Sequence, residues 1–160
     1  MTEATIEFKL NGDPVRLTVG VHETLLGVLR YRAAGPEAKS GCDRGDCGAC
    51  AVAVDDVVVT SCLTLAVQVD GKRVTTVRGI GTPDRPHPLQ AAFLAQGAAQ
   101  CGICIPGMIM SLWGFLREHP HATRQEIREA ISGNLCRCTG YRKIVDAAET
   151  AARELAGVAS

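Results

Sequence analysis

Apolar and polar residues alternate from Thr5 to Leu10 and again from Val15 to Val19, with Asn11-Gly12-Asp13 between them. A period of two flanking a tight turn predicts a β-hairpin. Thr24 stands as an N-cap before Leu25, Leu26, Val28 and Leu29, so a short helix is expected, ending at Gly35-Pro36. Ala49 to Val54 and Val57 to Thr60, split by Asp55-Asp56, predict a second hairpin, and Asp70-Gly71 turns the chain into a strand from Arg73 to Val77.

The period changes after residue 87. Pro88 to Gln96 opens with proline in a first helical turn and carries Leu89, Ala92 and Phe93 on one face. Pro106 to Glu118 places Ile109, Leu112, Trp113 and Leu116 together. Thr123-Arg124-Gln125-Glu126 reads as a capping box for a helix that includes Ile127 and Ile131, and Arg142 to Leu155 carries a stripe of Ile144, Val145, Ala148 and Ala152. The expected fold is α+β: a strand-rich domain over residues 1–78, a Gly/Pro-rich linker over 79–86, and a helical bundle over 87–160.

Each half is roughly 75 residues, a size at which a hydrophobic core alone is marginal and a covalent or metal staple is common. The chain has eight cysteines, and each half holds four of them. Residues 1–4 lead directly into the first strand with no basic, apolar or twin-arginine leader, so a cytoplasmic location is expected. In that compartment clustered cysteines serve metals or redox chemistry more readily than disulfides. Basic and acidic side chains balance at 17 each, which argues against sequence-independent nucleic-acid binding. No apolar run approaches the ~20 residues of a membrane-spanning helix.

Cys42-x4-Cys47-x2-Cys50, followed by Cys62, has the spacing of a plant-type [2Fe–2S] loop with a fourth ligand from elsewhere. Gly41, Gly45 and Gly48 would let the backbone wrap the sulfurs and aim N–H groups at them. Zinc fits this loop less well, because it favours two separated cysteine pairs. Cys101-x2-Cys104 and Cys136-x-Cys138 are compatible by spacing with either zinc or an iron–sulfur centre. Both pairs are expected at helix N-termini, where the dipole favours thiolates, with Arg137, Arg142 and Lys143 adding positive charge.

His22, His87, His119 and His121 show no Cys-x-His pairing, and the His119-Pro120-His121 turn reads as solvated surface. Met108 and Met110 read as core, and Asp43, Arg44 and Asp46 as loop charges. No phosphate loop, nucleophile–base set or paired general acid and base stands out, so no catalytic residue is assigned.

Residues 42–50 (CDRGDCGAC), 100–108 (QCGICIPGM) and 133–141 (GNLCRCTGY) resemble three motifs of the small iron–sulfur subunit of the molybdenum hydroxylases, the xanthine dehydrogenase, aldehyde oxidoreductase and carbon monoxide dehydrogenase group. Ala51 and Ile105 depart from it where the family usually has threonine. The resemblance implies an N-terminal β-grasp, plant-ferredoxin-like domain and a C-terminal four-helix bundle. It implies two [2Fe–2S] clusters, one on Cys42, Cys47, Cys50 and Cys62, the other on Cys101, Cys104, Cys136 and Cys138. Gln100 and Cys138 would approach a molybdopterin, as its cytosine dinucleotide, on a large subunit, and the first cluster would face FAD on a medium subunit. The assembly implied is a dimer of heterotrimers, and this chain its electron-transfer subunit. A stand-alone ferredoxin-like carrier is the alternative, but it leaves the helical half without a task.

Overall fold

The computed structural model describes residues 2–158, with the side chain of Val158 left aside. Strands β1 (Glu3–Leu10) and β2 (Asp13–Gly20) form the first hairpin, paired from Glu3 with Gly20 to Leu10 with Asp13. Helix α1 (Leu25–Tyr31) follows, then β3 (Ala51–Val54), β4 (Val57–Thr60) and β5 (Arg73–Thr75), with a 3-10 turn at Ala66–Val69 that the sequence pattern does not announce. The mixed sheet has the order β2-β1-β5-β3-β4, and only the β1–β5 pair is parallel. Four helices complete the chain: α2 (Pro88–Ala95), α3 (Ile105–Glu118), α4 (Arg124–Ala130) and α5 (Arg142–Val158). The class is α+β. Among the described residues no helix is long and apolar enough to cross a membrane.

Alternation in β1 does what a half-buried strand requires: Ile6, Phe8 and Leu10 enter the core while Thr5, Glu7 and Lys9 face solvent. The core they enter is closed by α1, whose Leu25, Leu26, Val28 and Leu29 are buried, and by Ala66 and Val69 of the 3-10 turn. Helix α1 stops well before Gly35-Pro36. The N–H groups of Ala33 and Gly35 turn back to the carbonyls of Val28 and Leu29, and Ala34 takes a φ of 53°, so the helix is capped locally rather than continued. Strand β5 is shorter than its apolar pattern because the Thr76 N–H leaves the ladder and donates to the Asn11 side chain at 2.8 Å.

In the second half α5 packs on α2 and α4, and α3 on α2 and α4, around Leu89, Phe93, Met108, Leu112, Ile127, Ile131, Ile144 and their neighbours. His87 caps α2: its Nδ1 accepts from the Leu89 N–H at 3.2 Å, while its own N–H donates to the Gln90 side chain at 2.9 Å. The expected Thr123 capping box is present, with Glu126 closing it. Residues 79–86 are held down at their start, since Gln90 donates to the Val77 carbonyl at 2.7 Å and Ile80 packs on the helical core.

Strand β3 joins the two halves. Its four residues are buried on both faces, Val52 and Val54 toward the α1 side and Ala51 and Ala53 toward Met110 of α3. Helix α3 comes this close because Gly107, Met110 and Gly114 share one face. A Cβ at Gly107 would stand 2.0 Å from the Gly48 carbonyl oxygen, and one at Gly114 would stand 2.5 Å from a Val58 methyl.

Gly107→Ala should therefore force α3 off backbone that cannot yield, at a cost of about 1–3 kcal/mol, visible as a lowered Tm. An unchanged Tm would mean that the first turn of α3 does not rest on the Gly48–Ala49 backbone in solution. A second expectation concerns pH. Burial holds the His87 imidazole below the usual histidine range, against the opposing pull of the Glu154 carboxylate. The unfolded chain takes up that proton below about pH 6.5 and the folded chain only at lower pH. Stability contributed here is thus complete above the unfolded value and is lost as pH falls through the window down to the folded one. His87→Asn, a non-titrating cap, should remove this loss, so the Tm of the natural protein should fall more steeply than the variant's between about pH 8 and about pH 5.5.

Candidate metal centres

All eight cysteines are free thiols. In the first half the second hairpin does the assembling. Ala51 pairs with Thr60, so the residues just outside that pair, Cys50 and Ser61, face each other, and Cys62 follows. The Ser61 hydroxyl donates to the Cys50 carbonyl at 2.7 Å and is fully buried, which ties the base of the hairpin. Cys50 and Cys62 are thereby set side by side and buried. The strand expected from Ala49 to Val54 begins two residues later, since Ala49 and Cys50 belong to the cysteine loop and β3 starts at Ala51.

The loop itself turns through three left-handed residues, Asp43, Gly45 and Gly48. Ser40 donates to the Asp43 carboxylate at 2.6 Å, and Arg44 pairs with Asp46 at 2.6 Å. This path directs the N–H groups of Arg44, Cys47 and Asp46 at the Cys42 sulfur and draws its thiol down to about 7. Cys47 lies beside Cys42, and burial raises its pKa. Burial pushes Cys62 up to about 11, with Cys50 next to it adding to the shift. Gly41 is required by closeness, because a Cβ there would meet the Cys47 sulfur at 2.8 Å.

In the second half Cys104 is the N-cap residue of α3, as expected. Cys136 and Cys138 are not at the end of a helix, because α5 begins only at Arg142 and a turn intervenes. That turn supplies its own donors. Burial works to raise the Cys136 pKa, but the Thr139 hydroxyl, 3.0 Å from its sulfur, and the N–H groups of Thr139 and Cys138 bring it to about 7. The Cys136 N–H donates to the Tyr141 hydroxyl at 2.7 Å, which fixes the turn against the start of α5. Burial pushes Cys104 up to about 12, with Cys136 adjacent. Cys101 and Cys138 are both exposed, their sulfurs 3.6 Å apart. Gln100, also exposed, precedes Cys101.

The sulfurs thus come in twos: Cys42 with Cys47, Cys50 with Cys62, Cys101 with Cys138, and Cys104 with Cys136. A tetrahedral zinc site asks for four donors about one point, whereas a two-iron centre takes four thiolates shared between two metals. The donor set and its pairing fit the second kind.

Reading the sequence for cysteines names eight candidate donors but misses the residues that orient them. Ser61, Thr139 and Tyr141 carry no signal outside their motifs. The histidines stay apart from metal chemistry: His87 caps α2, and His119 stacks on Phe115 with ring centres 4.8 Å apart.

Two family sequence profiles match. A 2Fe-2S iron–sulfur cluster binding domain covers residues 8–76, and a [2Fe-2S] binding domain covers residues 76–149. The aldehyde oxidoreductase iron–sulfur-binding subunit of Escherichia coli K12 is 41% identical over 94% of this chain and 72% of its own. The aldehyde oxidoreductase of Megalodesulfovibrio gigas is 41% identical over 92% of this chain, which corresponds to only 17% of that longer protein. In three dimensions the chain is similar to quinoline 2-oxidoreductase from Pseudomonas putida 86, with a TM-score of 0.92 at 39% identity, covering 98% of this chain and 97% of the other.

Gly41→Ala should displace the Cys47 sulfur, the movable atom, rather than unfold the loop. The purified variant is expected to lose metal from the first set while keeping it in the second, as iron analysis and visible absorption would report. Full metal content would show that the loop has room for the methyl group.

Proposed function

Because this chain belongs to the small iron–sulfur subunits of the molybdenum hydroxylases, we propose that it relays single electrons from a molybdopterin-bearing large subunit to FAD on a medium subunit, or to another acceptor. It is the iron–sulfur component of an oxidoreductase and carries no substrate chemistry of its own. The observation that carries this reading is the division of eight thiols into two sets of four, each made of two sulfur pairs.

Cys42, Cys47, Cys50 and Cys62 would hold one [2Fe–2S] group and Cys101, Cys104, Cys136 and Cys138 a second, and each group when bound supplies one-electron chemistry. The chain's own residues do the rest. Buried Cys50, Cys62 and Cys104 keep water from the inner side of each set. The N–H groups of Arg44, Asp46 and Cys47 at Cys42, and those of Cys138 and Thr139 at Cys136, stabilise negative charge on sulfur and so favour the reduced state. Exposed Cys101 and Cys138, with Gln100 beside them, form the edge we assign to the large subunit and its molybdopterin cytosine dinucleotide. We further assign residues 1–78 to a β-grasp domain, 79–86 to a linker and 87–160 to a four-helix bundle, within a cytoplasmic dimer of heterotrimers.

The first test is to purify the tagged chain gently from its native host and measure iron, zinc and molybdenum. Iron with molybdenum, at about four irons per molybdenum, supports the relay; iron alone supports a free carrier, and zinc in place of iron overturns the redox reading. In the same preparation Cys138→Ser should abolish the signal of the second centre and stop substrate-driven reduction of the acceptor. Normal acceptor reduction in that variant would exclude the proposed order.

A further inference from the structure

The eight thiols are unequally open to reagents from solution. Cys50 and Cys62 are buried at the base of a paired hairpin, and Cys104 is buried as the N-cap of α3. Cys47 is wedged close to Gly41, where a Cβ would meet its sulfur at 2.8 Å. Cys136 is half-buried, with the Thr139 hydroxyl 3.0 Å from its sulfur. Cys101 and Cys138 are exposed, and their sulfurs face each other at 3.6 Å from two loops that lie 37 residues apart in the chain.

The loop bearing Cys138 is tied down only as far as Cys136. The buried Asn134 side-chain amide donates to the Gly48 carbonyl at 3.2 Å, and a Cβ on residue 48 would stand 2.4 Å from Asn134 Nδ2. The Leu135 N–H donates to the Cys47 carbonyl at 2.9 Å, and the Cys136 N–H to the Tyr141 hydroxyl at 2.7 Å. Arg137 and Cys138 lie beyond these ties and are exposed. A Cβ at Gly140, or at Gly102 next to Cys101, would meet nothing within 4 Å. Closing the gap to the about 2 Å of a disulfide therefore moves exposed loop atoms, whereas bonding among the other thiols has to shift packed ones.

We propose that Cys101 and Cys138 are a site of reversible oxidation. In the chain that has yet to receive its second metal group, a peroxide joins them as a disulfide, which closes that site to iron until a dithiol reduces it. One thiolate attacks the peroxide: an S–O bond forms, the O–O bond breaks and hydroxide leaves. The facing thiol then displaces the hydroxyl group, so that an S–S bond forms as the S–O bond breaks. Two thiols lose two electrons and two protons, and hydrogen peroxide takes them up to become two molecules of water. Cys104 and Cys136 then offer two donors where a two-iron centre takes four. The edge concerned is the one assigned above to the large subunit, so the pair is open to oxidant only ahead of assembly. The inference rests on the two-centre reading, because the bond acts by preventing the second loading.

The test uses the full chain, stripped of metal by a chelator under reducing, oxygen-free conditions, freed of reductant, and given one equivalent of hydrogen peroxide. Thiol counting should show two of the eight thiols lost, and peptide mass spectrometry one cross-link, between Cys101 and Cys138. Iron and sulfide added next should fill the first set alone, about two irons per chain in place of about four, and dithiothreitol should restore the rest. A second measurement avoids stripping: the loaded chain, bleached by peroxide and trapped with an alkylating reagent, should yield the same link. Links scattered over other pairs in both preparations, or sulfinic acid at Cys101 and Cys138 in place of a bond, would overturn the site while leaving the relay standing. Uptake of about four irons by the cross-linked chain would equally overturn it. A natural chain that holds zinc instead of iron would overturn both.

Discussion

The close approach of α3 to the sheet is the constraint on which the other features depend. A helix packed on a strand ordinarily stands off by the thickness of its side chains. Here Gly107 removes that thickness, and the first turn of α3 rests on the backbone of Gly48 and Ala49. Because Cys104 caps the same helix and Cys47 and Cys50 flank the same two residues, one contact fixes the position of both cysteine loops. The small side chains of Ala51 and Ala53 extend the contact along β3. The halves are therefore one body at the place where their chemistry meets, although the sequence divides them cleanly in composition.

Burial and hydrogen bonding are distributed unevenly over the thiols. Cys50, Cys62 and Cys104 are buried, with Cys62 and Cys104 held well up toward the neutral form, while Cys42 and Cys136 receive clusters of N–H and O–H donors that favour the anion. Each set thus combines a dry inner side with a polarised member. Such a mixture suits a group that must change charge by one without rearrangement, since fixed dipoles already favour the extra charge before it arrives.

Much of this was legible in the sequence, for local reasons. The hairpins announce themselves through a period of two and turn dipeptides, α4 through its capping box, and the first cysteine loop through its x4 and x2 gaps. Where reading fell short, the deciding contact was distant along the chain or lay in backbone geometry. The end of α1 depends on a left-handed Ala34, the end of β5 on Asn11, and the turn around Cys136 on Tyr141. Asn134 looks like any asparagine in a loop until residue 48 is placed against it. No periodicity encodes that meeting.

The hairpin between Cys50 and Cys62 has a consequence for recognising such chains. Its antiparallel ladder works as an extensible ruler, in which residues added in facing pairs lengthen the arms and leave the two cysteines at the base unmoved. The interval between these two positions is therefore free to drift by even steps, while the gaps within the loop, set by left-handed turns and by N–H groups aimed at single sulfurs, are not. A pattern that held every interval rigid would miss relatives with longer arms, and one that let the loop gaps vary would admit chains unable to cradle a metal centre at all.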